Sequence, residues 1–319
     1  MRSKNSVDII KAIACILIVG SHCVPLFGND TLDFYYSNWF FRFSVPFFLI
    51  ATGYFFAGMD KAKKSRYIKR IFVFYIISTL IYLPLLTRGS ITKTIINFLF
   101  GFSHLWYLIA LAVGLLFVNW SYKLGSKRNW LMLLYPVGVL FNEYYKLLDI
   151  PVINTVAENM SYIGGPRNAV FFAMPLLLAG DYLYNNNSRL ISRRASMMLF
   201  IVLFSLGLIE VSVLKSLLGF ELKLDLSVFS TLSAIPLFMY GIQTPSVITS
   251  EKSRFLRKVT DIVYIIHIWT LFAVVKLTGI EYCRRFVIVL LMSVIIAILF
   301  VYIARVVYSM KKADSGEGL

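Results

Sequence analysis

Residues 8–26 read DIIKAIACILIVGSHCVPL, and this run decides how the chain can fold. Apart from Asp8, Lys11 and His22 it is almost wholly apolar, and a bilayer core about 30 Å thick takes roughly 20 helical residues per crossing. A basic start precedes the run, but no small-x-small cleavage site follows it. We therefore predict that this segment is an uncleaved signal anchor that stays in the protein as its first membrane helix.

The rest of the 319-residue chain continues this pattern. Hydrophobic residues make up 59% of the chain and charged residues 15%, which is too apolar for one soluble core with a wetted surface. We predict an all-α integral membrane protein, a bundle of about ten transmembrane helices. The apolar segments fall near residues 8–26, 38–57, 68–86, 104–120, 129–142, 168–184, 197–213, 226–243, 260–278 and 285–309. The stretch 91–103 is too short to span and is predicted to be an amphipathic or re-entrant piece.

The formal net charge of +16 comes from bases that cluster between the apolar segments. Cytoplasmic loops carry an excess of Lys and Arg, so the basic loops and both termini are predicted to be cytoplasmic. These bases are Arg2, Lys4, Lys61, Lys63, Lys64, Arg66, Lys69, Arg70, Lys123, Lys127, Arg128, Arg189, Arg193, Arg194, Lys252, Arg254, Arg257, Lys258, Lys311 and Lys312. The alternate loops carry the acids Asp30, Asp33, Glu143, Asp149, Glu158, Glu210, Glu221 and Asp225.

This distribution also bounds the partners. Because the bases are divided among loops instead of covering one face, we predict the lipid bilayer as a partner and no nucleic acid. Cys15, Cys23 and Cys283 show no CxxC and no histidine at metal-ligand spacing. We expect no disulfide framework and no metal site.

Ionisable residues inside the first helix need a reason, because such groups are costly in a bilayer and usually face the bundle interior or a cavity. Lys11 and His22 are eleven residues apart, which at 100° per residue is within about 20° of three full turns, so they share one face. His22 is either a helix-end histidine bonded to a carbonyl group or a proton-transferring base. Lys11 is either an interfacial lysine that reaches for the headgroups or a functional residue.

Other polar residues fall near the predicted outer side. Arg42 lies next to Pro46 and is either an interfacial arginine or a clamp for an anion or carbonyl group. His104 and Trp106 introduce the fourth crossing, where Trp106 alone fits an interfacial aromatic belt. Glu143, Arg167 and Asn168 also lie at the outer side, where the last two serve either as a snorkelling and capping pair or as substrate ligands. The prediction concerns five residues from separate segments that all fall in the predicted outer half of the membrane: His22, Arg42, His104, Glu143 and Arg167. From this shared depth we predict one polar cavity in the outer leaflet.

Several stretches resemble the membrane-bound acyltransferase 3 family over nearly the whole chain. They are VDIIKAIACILIVGSH, FRFSVPFFLIATGYFF, HLWYL, RNAVFFAMPLLLAG and DIVYIIH. The resemblance implies ten core helices and transfer of an acyl group, usually acetyl from acetyl-CoA, to a hydroxyl group of a cell-envelope glycan or related acceptor. Acetyl-CoA would be the donor, with no resident cofactor.

Carried over, the resemblance makes His22 the catalytic histidine and gives Arg42 and Lys11 catalytic roles. Lys11 stands where the family usually has arginine, and lysine lacks the bidentate fork. The inner bases Lys11, Arg66, Lys69 and Arg70 would hold the donor phosphates. The substrate would be bound by His104, Trp106, Glu143, Arg167 and Asn168.

A branch of the same family offers a competing function. The sequence most resembles the membrane half of vancomycin-resistance serine racemases, where that half is associated with serine uptake. On this reading the protein is a transporter of a small polar solute such as L-serine, with Arg42 or Arg167 gripping its carboxylate. We predict one transmembrane domain over residues 1–310, a short cytoplasmic tail over 311–319, and no racemase domain after residue 310.

Overall fold

The computed structural model describes residues 5–162, 164–187 and 191–314. Within these ranges every regular element is helical, and fifteen elements are α-helices. They are α1 Asn5–His22, α2 Asp30–Tyr35, α3 Ser44–Ala57, α4 Lys61–Ile81, α5 Leu83–Leu86, α6 Ile91–Phe100, α7 Trp106–Ser121, α8 Leu134–Val139, α9 Tyr145–Leu148, α10 Pro151–Tyr162, α11 Met174–Asn185, α12 Arg193–Leu218, α13 Val228–Gln243, α14 Ser250–Thr278 and α15 Tyr282–Asp314. Three π-helical turns and two 3-10 segments connect some of them: Tyr36–Phe40, Leu140–Tyr144, Ala169–Ala173, Ser103–Leu105 and Tyr122–Leu133.

In the described part of the chain, 6 helical stretches are long and apolar enough to cross a membrane. They are Asn5–His22, Asp30–Ala57, Ser103–Leu148, Arg193–Leu218, Ser250–Thr278 and Tyr282–Val307, and the shorter apolar helices are Ile91–Phe100, Ala169–Asn185 and Val228–Gln243. The prediction of an all-helical membrane protein is therefore confirmed for the described residues. The number of ten crossings and the cytoplasmic side of both termini stay predictions.

Part of the predicted orientation signal lies outside the described residues. This holds for Arg2, Lys4, Arg189 and residues 315–319 of the predicted tail, and for the side chains of Lys311 and Lys312. The backbone of α15 continues through Asp314. The division at residue 310 into a membrane domain and a tail thus stays a prediction.

Side-chain caps fix where several helices begin. Asp60 accepts a hydrogen bond from the Lys63 backbone N–H at 2.8 Å and starts α4. Ser90 and Thr249 do the same for α6 and α14. A side-chain oxygen at this position satisfies one of the four backbone N–H groups that a helix start leaves without a partner. The predicted amphipathic stretch 91–103 therefore begins as the ten-residue helix α6, which at 1.5 Å per residue is about 15 Å long.

The chain divides into two compact units. The terminal unit contains Met1–Ser37 and Gly241–Leu319, and the central unit contains Asn38–Tyr240. In the terminal unit α1 packs against α14 and α15, which also pack against each other. The start of α1 is fixed there because Asn5 Nδ2 donates to the Ile248 carbonyl group at 2.8 Å and Ser6 Oγ donates to the Pro245 carbonyl group at 2.7 Å.

In the central unit the main helix pair is α3 with α11, and α7 packs against both α4 and α11. Two glycines let α3 and α11 approach backbone to backbone. A Cβ atom added to Gly53 would lie 2.0 Å from the Leu177 carbonyl oxygen, and one added to Gly180 would lie 2.1 Å from the Ile50 carbonyl oxygen. Small residues allow this close packing inside membranes, where the hydrophobic effect does not drive helices together.

Candidate functional site

A charged cluster joins three distant parts of the central unit. The guanidinium group of Arg42 lies 3.0 Å from Asp225 Oδ1, and that of Arg167 lies 3.3 Å from the same oxygen. The side chains of Arg42, Arg167 and Asp225 are 16%, 39% and 32% exposed, so the cluster is only partly covered by protein. Two guanidinium groups face one carboxylate, which leaves a net positive charge beside the ion pairs.

The two arginines come together because each immediately precedes one helix of the main pair. Arg42 is two residues before α3, and Arg167 precedes the helical stretch Ala169–Asn185 that contains α11. Asn168 caps this stretch, since its Oδ1 accepts from the backbone N–H groups of Val170 at 2.9 Å and Phe171 at 3.0 Å. Asn168 thus has the capping role that the sequence offered as one of its two alternatives.

Asp225 is presented by a segment whose backbone is held from several sides. The N–H of Leu224 donates to Asn38 Oδ1 at 2.8 Å, and the N–H of Leu226 donates to Asn142 Oδ1 at 2.6 Å. Tyr135 Oη donates to the Ser227 carbonyl group at 2.6 Å. Leu224 and Leu226, the residues on either side of Asp225, are buried. The Asp225 side chain is 32% exposed, so it points away from these two leucines.

The charge state of Asp225 follows from its neighbours. Burial raises the pKa of this carboxyl group, but the charges of Arg167 and Arg42, the hydrogen bond from Arg42 and the charge of Lys223 outweigh burial and lower the pKa below its usual range. Because its pKa is lowered, the Asp225 carboxyl group, in the segment between α12 and α13, is ionised at neutral pH.

The remaining predicted substrate residues of the central unit lie in different surroundings. Trp106 contacts the cluster, because the Arg167 guanidinium carbon lies 5.4 Å from the centre of its ring. His104 is 2% exposed, and its ring centre lies 5.1 Å from that of Tyr82. Glu143 forms an ion pair with Lys146 at 2.7 Å. The structure thus brings Arg42, Arg167 and Trp106 together.

The predicted catalytic histidine belongs to the terminal unit and lies beside a second histidine. The ring centres of His22 and His267 are 5.1 Å apart, and the rings are tilted by 49°. His267 is fully buried, and its Nδ1 lies 3.1 Å from the Val263 carbonyl oxygen. Because a carbonyl oxygen only accepts, this hydrogen bond requires the proton on Nδ1.

Lys11 lies in a charged region near the other end of α1. Asp8 accepts hydrogen bonds from Arg257 Nη1 at 2.6 Å and from Ser253 Oγ. Lys11 interacts electrostatically with Asp8 and with Asp261. Asp8 therefore interacts both with Lys11 on its own helix and with Arg257 and Ser253 on α14.

The predicted donor-binding bases Arg66, Lys69 and Arg70 are exposed on α4. Lys69 and Arg70 follow Arg66 by three and four residues, so each neighbours Arg66 on the helix surface. A buried carboxylate occurs in the same unit: Asp181 is 1% exposed and accepts from Arg128 Nη2 and Tyr122 Oη, both at 2.7 Å. The sequence analysis did not select Asp181 as a site residue.

Sequence reasoning also missed Asp225 and His267 as partners of the selected residues. Asp225 is 183 positions from Arg42, and no local spacing connects them. His22 and His267 lie on α1 and α14, so no local spacing connects them either. The predicted common cavity of His22 with Arg42, His104, Glu143 and Arg167 stays a prediction, since His22 belongs to the terminal unit and the others to the central unit.

The helical stretches that are long and apolar enough to cross a membrane identify the class as a multi-pass membrane protein. The family model described as an acyltransferase domain, of the acyltransferase 3 type, matches residues 4–302. The chain therefore belongs to the acyltransferase 3 family, as its motifs predicted.

Curated relatives extend this comparison. An amino-acid racemase of Enterococcus faecalis is 28% identical over 227 residues, which are 64% of this chain and 32% of that protein. A serine/alanine racemase of Enterococcus gallinarum is 27% identical over 270 residues, 76% of this chain and 37% of that protein. The chain thus spans about a third of the length of these relatives. No solved structure matches the chain.

Proposed function

We propose that this protein is a membrane-bound O-acyltransferase that moves acetyl from cytoplasmic acetyl-CoA to a hydroxyl group of a cell-envelope glycan or related acceptor. We place it in the bacterial cytoplasmic membrane, with about ten crossings and both termini in the cytoplasm. The family match over residues 4–302 supports acyl transfer. The observation that carries the proposal is the partly exposed His22 ring at the end of α1 beside the fully buried His267.

In the proposed reaction His22 removes the hydroxyl proton while the acceptor oxygen attacks the thioester carbonyl carbon. The C–S bond then breaks, the acetyl ester forms, and the CoA sulfur takes up a proton, so the products are the acetylated acceptor and free CoA. The resemblance also allows His22 to carry the acetyl group itself. It gives catalytic roles to Arg42 and Lys11, and each of these is tested separately from His22.

Donor and acceptor are assigned to different residue groups. The exposed bases Arg66, Lys69 and Arg70 of α4, with Lys11, are proposed to hold the CoA phosphates. Acceptor contacts are proposed for Trp106 and Arg167, which contact each other, and for Asn168 beside them. His104 and Glu143 complete the proposed acceptor set.

The test is acetyl-CoA turnover by the purified full-length protein, with an envelope glycan preparation as acceptor and free CoA and labelled glycan measured by chromatography. His22→Ala is expected to lower turnover by about 100-fold or more, because general-base catalysis contributes about 10²–10⁴-fold. Arg42→Ala is expected to lower it as well. Lys63→Ala is the control, since Lys63 is 64% exposed and pairs with Asp60 at the surface.

The competing function is transport of a small polar solute, which is favoured by the similarity to a protein named serine/alanine racemase. The same preparations are reconstituted into liposomes and assayed for uptake of labelled L-serine. If wild type, His22→Ala and Arg42→Ala release CoA at one background rate while the liposomes accumulate serine, the acyltransferase proposal is wrong.

A further inference from the structure

Asp225 places a carboxylate between two arginines that the sequence had selected as candidates for substrate binding. Both guanidinium groups contact the same oxygen, at 3.0 Å from Arg42 and 3.3 Å from Arg167. A guanidinium group is planar and matches the geometry of a carboxylate. The Asp225 side chain therefore shows that this pair of arginines accommodates a carboxylate.

The charges around the cluster favour the binding of an anion. Two guanidinium groups outnumber the single carboxylate, and the helical stretch Ala169–Asn185 directs its positive N-terminal end to the region next to Arg167. The ring of Trp106 lies beneath the Arg167 guanidinium group and limits its orientations. With 39% of Arg167 and 32% of Asp225 exposed, a ligand can reach the cluster.

The backbone that carries Asp225 is fixed, whereas its side chain is not packed in the core. Hydrogen bonds to Asn38, Asn142 and Tyr135 hold the backbone of residues 224–227. Only a rotation about the side-chain bonds is needed to remove the carboxylate from the arginines. Partly exposed ion pairs contribute little to stability, so one carboxylate can replace another at small cost.

We propose that Arg42 and Arg167 form a binding site for a carboxylate of the substrate, and that the Asp225 side chain occupies this site until the substrate displaces it. Combined with the proposed function, on which this assignment of the substrate rests, the substrate carries a carboxylate and a hydroxyl group. Two sources share that chemistry: an acidic sugar of an envelope glycan and a hydroxy amino acid. The carboxylate site itself is independent of whether acetyl is transferred.

Isothermal titration calorimetry of the full-length protein in detergent tests this. D-glucuronate and L-serine are the two probes that carry a carboxylate, called the acidic probes below although L-serine is a zwitterion, and D-glucose is the probe without a carboxylate. Asp225→Asn removes the competing charge and keeps the size of the side chain. We expect it to lower the Kd of one acidic probe about tenfold relative to wild type, because the site no longer has an internal occupant. Arg167→Gln is expected to abolish binding of that probe, and D-glucose is expected not to bind.

The matched control is Asp60→Asn, which makes the same substitution at a surface ion pair of the central unit and keeps a good helix cap. It should leave the Kd unchanged. Asp225→Ser is a second variant without the carboxylate, in case Asp225→Asn lowers the yield of folded protein. Higher salt should weaken binding to both variants and to wild type, since the site is partly exposed.

The probe that binds identifies the source of the carboxylate. Binding of D-glucuronate indicates an acidic sugar, and binding of L-serine indicates a hydroxy amino acid. Equal or weaker binding by both Asp225 variants overturns the proposal, as does the absence of binding by both acids or equal binding of D-glucose. Acetyl-CoA is absent from this experiment. If the protein binds a carboxylate probe but transfers no acetyl group in the turnover assay, the proposed enzyme function is wrong and the proposed binding site still holds.

Discussion

His267 shows how a buried polar residue can act through a neighbour. Its Nδ1–H donates to the Val263 carbonyl group, so the ring is held in one orientation and one tautomer. This ring lies 5.1 Å, centre to centre, from that of His22 and is tilted against it by 49°. We infer that His267 is a positioning residue, which holds the His22 ring while His22 exchanges a proton.

His267→Phe tests this role because it keeps a ring of similar volume and removes both nitrogens. We expect kcat for acetyl transfer to fall about tenfold with little change in KM for acetyl-CoA, since a general base loses efficiency when its orientation is not held. Tyr264→Phe is the control, because it keeps the neighbouring ring, 6.2 Å from His267, and removes only a hydroxyl group. A lower melting temperature with unchanged kcat would mean that His267 serves packing alone.

At the scale of elements, the contact of α3 with α11 positions both arginines of the charged cluster. Arg42 lies two residues before α3, and Arg167 lies two residues before the stretch Ala169–Asn185 that contains α11. The spacing of the two helices therefore sets the spacing of the guanidinium groups. Gly53 and Gly180 define that spacing, because each faces a backbone carbonyl oxygen of the other helix. A backbone atom cannot rotate away as a side chain can.

Gly53→Ala and Gly180→Ala are therefore expected to destabilise the protein. Alanine gains about 1 kcal/mol in helix propensity, but overpacking of a close contact costs about 1–3 kcal/mol and here meets backbone. We expect a lower melting temperature for each variant and weaker binding of the acidic probe. Gly114→Ala is the matched control. Its added Cβ would lie 3.0 Å from a Leu177 side-chain carbon and 3.1 Å from the Ala173 Cβ, and the nearest backbone atom is 3.4 Å away, whereas it is about 2 Å away at Gly53 and Gly180. A melting temperature as high in Gly53→Ala as in Gly114→Ala would contradict this account.

At the scale of the whole molecule, the sequence predicted the class of fold and part of the site. The length of an apolar segment identifies a membrane helix, because every residue that faces lipid has to be apolar and so adds to the pattern. Arg42 and Arg167 were selected because ionisable groups within or at the ends of membrane crossings are costly and usually face the protein interior or a cavity. Their partner Asp225 could not be selected, because it lies in a connecting segment among other acids and its role arises only from tertiary contact.

Helix α13 decides the topology of the second half of the chain. Its 16 residues are about 24 Å long, which is shorter than a bilayer core of about 30 Å, and Pro236 lies inside it. A short helix can still cross if the bilayer thins locally or flanking residues reach the interface. Ten crossings require that α13 does so, with Glu221 outside and Lys252 in the cytoplasm.

Single cysteines at these two exposed positions test the crossing in a Cys283→Ser background, which removes the exposed native thiol while the buried Cys15 and Cys23 remain. In intact cells a membrane-impermeant maleimide is expected to label Glu221→Cys, and to label Lys252→Cys only after permeabilisation. The physical reason is that the basic residues 252–258 favour the cytoplasmic side. Labelling of both positions from one side would show that α13 does not cross, and the number of crossings and the predicted side of one terminus would have to change together.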